Sequence, residues 1–184
     1  YLTHFFLSKA TCQWYHRMNA MTKAERSSLP KGPGGLLEAQ PAPLTLMDRW
    51  ILSRLAFAAT CCNEGFESYN FPKVTTALYN FWLYELCDVY LEYLKPLFAA
   101  ASPEVVATAK AVLYTCLDSG LKLISPLMPY ISEELYQRLP KVTGTTGKSI
   151  CVLDYPKDLT YRDETIEKQI EFVQKISGIV RSTR

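Results

Sequence analysis

The chain has 184 residues, 48% of them hydrophobic, and a formal net charge of +2. That apolar fraction excludes an intrinsically disordered chain, and the length suffices to bury a substantial core. No apolar run approaches the roughly 18 residues of a membrane span, so a soluble protein with no membrane partner is expected. Tyr1–Leu7 is apolar but short, with no basic residue before it, which is not the pattern of a signal peptide. The sequence starts at Tyr1 rather than Met and reads as part of something longer.

Charge is unevenly spread. Residues 1–50 hold six Lys/Arg against three Asp/Glu, whereas residues 51–184 hold 14 against 15. The larger part of the chain is therefore not a basic domain, and composition alone carries no nucleic-acid signal. Six cysteines are present, two adjacent (Cys61, Cys62) and four isolated among apolar residues (Cys12, Cys87, Cys116, Cys151). There is no C-x-x-C, and the two histidines are His4 and His16, so no zinc site is expected. Buried free thiols in a reducing compartment are the expected reading.

In chain order, residues 4–26 have the length of one helix but poor apolar periodicity. Residues 27–45 break the chain with four prolines and three glycines. A clear helix is predicted from about Asp48 to Phe66, with Ile51, Leu55, Ala58, Cys62 and Phe66 on one face. Asn70 is a plausible N-cap for a long helix ending near Leu94, stopped by Pro96. Its predicted stripe is Phe71, Thr75, Leu78, Trp82, Leu86, Val89 and Tyr93. Ser102-Pro103-Glu104 opens the next helix, whose stripe is Val106, Ala109, Leu113, Leu117, Gly120 and Ile124. Pro126 and Pro129 force a bend, and Ser132-Glu133-Glu134 is read as the cap of a short helix to about Leu139. A Gly/Thr/Lys loop over 140–149 leads to a short extended segment, 149–156. The last helix begins near Asp163 with Ile166, Ile170, Val173, Ile176 and Val180 facing inward. Short connections between amphipathic helices predict an all-α, antiparallel helix bundle.

Candidate chemistry is sparse. Gly32, Gly34 and Gly35 near Lys31 lack a preceding strand and a closing G-K-[ST]. Gly144-Thr145-Thr146-Gly147-Lys148-Ser149 lacks full phosphate-loop spacing and leads into no helix. Glu85 and Asp88 sit three residues apart among aromatics. Such a pair does acid–base work when burial separates its pKa values. The alternative is a structural role, accepting hydrogen bonds from Arg49, Arg54 or tyrosine hydroxyls of a neighbouring helix. Arg49 and Arg54 have two readings themselves, interhelical pairing or phosphate contact. No catalytic residue and no metal ligand is assigned.

Four strings, MDRWILSRL (47–55), FWLYELCDVYLEYLKP (81–96), SPLMPYISEELYQRLP (125–140) and SICVLDYP (149–156), resemble in order and spacing the anticodon-binding helical domain of class Ia aminoacyl-tRNA synthetases. The valyl branch is the most similar, through Cys87-Asp88-Val89-Tyr90-Leu91-Glu92 followed by Lys95-Pro96. The resemblance covers roughly residues 45–184. It divides the chain into a divergent N-terminal segment with a Pro/Gly-rich linker (1–45) and an anticodon-binding bundle (46–184) truncated at its C-terminal end. It implies a module that binds the anticodon stem-loop of a valine-type tRNA and supports aminoacylation by a parent valine-tRNA ligase in the cytoplasm. ATP and Mg would belong to the parent's catalytic domain, since the His-Ile-Gly-His and Lys-Met-Ser-Lys-Ser signatures are absent; the catalytic and editing domains would be partners. In the family a helix before the Asp-Arg-Trp helix supplies contacts to the anticodon, and here only Asn19-Ala20 can be laid on it. The segment Cys12–Lys23 still offers Trp14, Tyr15, His16, Arg17 and Lys23. Arg17, Lys23, Arg49 and Arg54 are thus the candidate tRNA-binding residues, with Glu85 and Asp88 as structural carboxylates. The alternative is a helical protein–protein interaction module that keeps the fold without recognising RNA.

Overall fold

The computed structural model describes residues 42–139, 148–157 and 159–183. The expectations for residues 4–26, most of the Pro/Gly linker, most of the 140–149 loop, Cys12, Arg17 and Lys23 lie outside these residues.

Most of the described residues are helical. Helix α1 spans Leu46–Glu67, opened by a capping box in which the Thr45 hydroxyl accepts from the Asp48 N–H and the Asp48 carboxylate accepts from the Thr45 N–H. Ile51, Leu55, Ala58 and Cys62 are buried along its inner face, as the spacing predicts. A continuous rod follows: α2 (Phe71–Tyr79), a π-helical stretch (Asn80–Leu91) and α3 (Glu92–Ala100). Asn70 caps it by accepting from the Lys73 N–H, with Pro72 in the first turn. Helix α4 spans Pro103–Ile124, α5 Pro129–Arg138 and α6 Glu164–Ser182.

The rod departs from its predicted stripe for a geometric reason. Its buried positions are Val74, Leu78, Phe81, Trp82, Leu86, Tyr90 and Leu94, while Phe71 and Thr75 are exposed and Val89 and Tyr93 are half-buried. Inward residues recur every fourth position, a longer repeat than the 3.6 of an α-helix. The i→i+5 bonding of the π-helical stretch widens the turn and carries the inner face onto Tyr90 and Leu94. Pro96 does not stop the rod. It lies inside α3, which ends where Ala101 turns extended (φ −83°, ψ 162°).

Helix α4 is the centre of the bundle, packed by α1, α2, α3 and α5, and is buried around its whole circumference from Ala111 to Leu121. A one-sided stripe undercounts it, because Val112, Tyr114 and Cys116 are core as well. At Gly120 the closeness of the packing is measurable: a Cβ there would lie 2.8 Å from Trp82 Cζ2 and 3.4 Å from Phe81 Cε1.

Three further expectations are corrected. Ser132 does not cap α5, which starts at Pro129; its buried Oγ donates back to the Met128 carbonyl at 2.8 Å. The segment predicted as extended contains a 3₁₀ turn, Ile150–Val152, held by the Glu133 carboxylate, which accepts from Ser149 Oγ (2.8 Å) and the Ile150 N–H (2.7 Å). Helix α6 starts after its Asp163 cap as predicted, but its inward stripe is half right. Ile166 and Ile170 are buried, whereas Val173, Ile176 and Val180 are 58%, 47% and 63% exposed. Five of the cysteines are described, all as free thiols, with Cys62 and Cys116 buried but Cys151 exposed. No helix among the described residues is long and apolar enough to cross a membrane.

Candidate functional site

The strongest concentration of charge lies where α6 meets α1 and the π-helical stretch. Arg54, projecting from α1, donates through Nε and Nη2 to Glu85 Oε1 (2.8 and 2.6 Å) and through Nη1 to Glu167 Oε2 at 2.9 Å. Glu167 also accepts from Arg162 Nε at 2.9 Å and from the Ser53 hydroxyl. Ser53 in turn accepts from the Asp163 N–H at 2.8 Å, so the cap of α6 is tied to the middle of α1. The Arg54 and Arg162 guanidiniums lie 4.5 and 4.7 Å from the Phe57 ring centroid, adding cation–π attraction to the same joint.

Burial and pairing compete here. Burial lifts the Glu85 pKa above the ordinary carboxylate value, and the hydrogen bond and charge of Arg54 pull it only part of the way back. For Arg54, burial works against the charged form, but Glu85 and Glu167 together outweigh it and raise the guanidinium pKa. These shifts belong to an ion-pair joint between helices.

A second polar centre is more deeply buried. Asp48, 1% exposed, accepts from the Tyr90 hydroxyl at 2.6 Å and from Thr45 Oγ1 at 2.7 Å. Burial, the Asp48 charge and that hydrogen bond hold the Tyr90 pKa well above 10.0. The helix start, the central rod and α1 are thereby tied together through one carboxylate.

The structure places the sequence candidates differently from one another. Glu85 is inside the joint with Arg54. Asp88 is exposed and takes no part in it, because the three-residue step along the rod carries it round to solvent. Arg54 is engaged by two carboxylates at 20% side-chain exposure. Arg49 is 54% exposed and pairs with Asp163 at 3.0 Å on the surface. Asp48, Glu167, Arg162 and Ser53 were missed. Thr45-x-x-Asp48 before an apolar run carries a legible capping-box signal, but Glu167 lies 113 residues from Arg54 with nothing local to pair them.

Beside the joint a cleft of about 720 Å³ opens, walled in part by Trp50, Tyr84, Arg162, Lys168 and Glu171. Its walls hold Glu85, Glu164, Glu167 and Glu171 against Arg54, Arg162 and Lys168, so it is not a basic pocket for phosphate. Among the described residues no group of three His, Cys, Asp or Glu is placed to hold a metal ion.

A bundle centred on a helix buried all round through its middle, opened by a capped Asp-Arg-Trp helix, defines an all-α helical domain. The family model of the anticodon-binding domain of tRNA ligases matches residues 48–184, and the chain belongs to that family. Over 142 residues it is 51% identical to the valine–tRNA ligase of Rattus norvegicus, covering 76% of this chain and 11% of that protein. The Caenorhabditis elegans valine–tRNA ligase is 48% identical over 145 residues, 76% of this chain and 14% of that one. A mitochondrial valine–tRNA ligase of Mus musculus is 42% identical over 177 residues, 92% of this chain and 16% of that protein. The last alignment therefore reaches into the first 45 residues. The chain spans only a small part of the length of the relatives it matches.

Proposed function

We propose that this domain binds the anticodon stem-loop of a valine-accepting tRNA as part of a valine–tRNA ligase. The observation that carries this reading is the family match, which runs from Asp48 through the whole described bundle. In that setting ATP and magnesium are used by a catalytic domain of the parent chain, and these residues contribute only binding. Arg17, Lys23 and Arg49 are the cations assigned to the RNA backbone. Arg49 qualifies by exposure, and its surface pair with Asp163 is weak enough to exchange for a phosphate. Arg54 is reassigned to holding α6, since releasing it would leave Glu85 and Glu167 short of a partner. We place the parent chain in the cytoplasm on the 51% identity to the Rattus norvegicus valine–tRNA ligase over 76% of this chain, against 42% to the mitochondrial relative over 92%.

One observation favours the other reading, a protein-interaction module. Phe172, Val173, Ile176, Ile179 and Val180 form an apolar strip along the outer half of α6, each 47% exposed or more. Strips of this kind mark protein contacts, and the catalytic and editing domains of the parent are the partners that suit it. A fluorescence titration of the chain with a valine anticodon stem-loop at several salt concentrations tests the RNA reading. Phosphate contacts make log affinity fall linearly with log salt. Absence of binding at low salt would refute it and leave the interaction module.

A further inference from the structure

Helix α1 ends in a turn whose residues stand in unexpected places. The Asn70 N–H bonds to the Gly65 carbonyl at 2.7 Å and the Tyr69 N–H to the Phe66 carbonyl at 3.2 Å, the paired bonds of a Schellman C-cap. That motif requires a left-handed residue, and the position is normally glycine. Here it is Tyr69, at φ 55°. A bulky residue in that region is strained, at a cost that folding alone gives no reason to keep. The glycine of this turn is at Gly65, where a Cβ would lie 2.5 Å from Val74 Cγ2 and close approach demands it.

Burial does not compensate Tyr69. It is 81% exposed, and its side chain makes no hydrogen bond or ring contact among the described residues. The base beneath it is stiff: Phe66 packs edge-on against Phe71 (centroids 6.2 Å apart) and against Tyr155 (5.9 Å). Phe71, 49% exposed, leaves part of a second ring open two residues away. Lys73, in the first turn of α2, makes a surface pair with Glu64 at 2.6 Å, which is weak enough to exchange.

We infer that Tyr69 is a recognition residue that stacks on an unpaired base of the bound RNA, an inference that rests on the stem-loop reading above. A single ring projecting from a turn, with one half-open ring beside it, is too small a patch for a stable protein interface, which buries roughly 800 Å² per partner. It is the right size for one splayed-out base, which is read by stacking on an aromatic face with a cation near its phosphate. The strain is then retained because only an aromatic residue at this turn tip meets the base.

The test compares the chain with Tyr69→Gly, Tyr69→Asn and Tyr69→Phe, each melted thermally and titrated with a valine anticodon stem-loop. Tyr69→Gly and Tyr69→Asn relieve the backbone and are expected to raise the melting temperature by a few degrees. Both are expected to weaken stem-loop binding roughly five- to 150-fold, as for loss of one stacked ring, with an unchanged salt slope because no phosphate contact is lost. Tyr69→Phe keeps the ring and is expected to bind as the unaltered chain does. Unchanged affinity in Tyr69→Gly and Tyr69→Asn, with the unaltered chain still binding, overturns the role of Tyr69 and spares the stem-loop reading. If the unaltered chain binds no stem-loop, both fall together.

Discussion

Replacing Arg54 with methionine removes the charge that joins α1 to both the central rod and α6 while keeping most of the side-chain volume. Glu85 then loses its one guanidinium partner at 14% side-chain exposure, whereas Glu167 keeps Arg162 and Ser53. Breaking a fully buried ion pair costs about 3–5 kcal/mol, and residual solvent contact here brings the expected loss to about 2–3 kcal/mol at neutral pH. At about 2–4 °C per kcal/mol for a chain of this size, the melting temperature should fall by roughly 4–12 °C. The loss should depend on pH in a stated direction. Arg54 is the first cause that lowers the Glu85 pKa, so without it burial raises that pKa further. A carboxyl whose folded pKa exceeds its unfolded value binds more protons folded than unfolded between the two. Stability therefore falls as pH rises through that window and returns as pH drops below it. Melts of the unaltered chain and Arg54→Met between pH 4.5 and 8, on the order of the carboxylate range and above, should show the gap narrowing toward the acid end. Adding Glu85→Gln to Arg54→Met should recover part of the loss at pH 8 (about neutral to mildly basic) by removing the stranded charge. A gap that is constant with pH, or a double variant less stable than Arg54→Met, would refute the joint as described.

Tyr90→Phe should cost about 1.5–3 kcal/mol at neutral pH, the loss of a hydrogen bond to a charged group, read by urea unfolding. Because the folded Tyr90 pKa is raised well above 10.0, its contribution is complete below the unfolded value and is lost as pH rises above it. The unaltered chain should thus lose stability more steeply than Tyr90→Phe in alkaline melts. Gly120→Ala should destabilise despite the better helix propensity of alanine, since overpacking against Trp82 costs about 1–3 kcal/mol and exceeds the roughly 1 kcal/mol propensity gain; a raised melting temperature would contradict the contact. Thr45→Ala should cost about 1 kcal/mol through loss of the α1 cap, measured by the same melts. The chain by itself should give no valine-dependent ATP–pyrophosphate exchange above a blank.

Much of the architecture is legible in local residue patterns. Three- and four-residue spacing marks α1, Asn70 and Pro72 mark the start of the rod, Pro103 marks α4 although the Ser102 side chain makes no capping bond, and Asp163 marks α6, because caps and first-turn prolines act within one turn of chain. The resemblance of four ordered strings locates the family, since order and spacing along the chain survive without any knowledge of contacts. Tertiary packing decided the rest. That Arg54 is shared between Glu85 and Glu167 depends on α6 bringing Glu167 to it from 113 residues away, a distance over which no sequence periodicity operates. The inner face of the rod moved from Val89 and Tyr93 to Tyr90 and Leu94 because a π-helical turn changed the repeat, and a 3.6-residue template cannot register that change. Glu85 and Asp88 look equivalent three residues apart, yet only Glu85 faces a cation, since a side chain's role is set by the neighbour that the fold places against it.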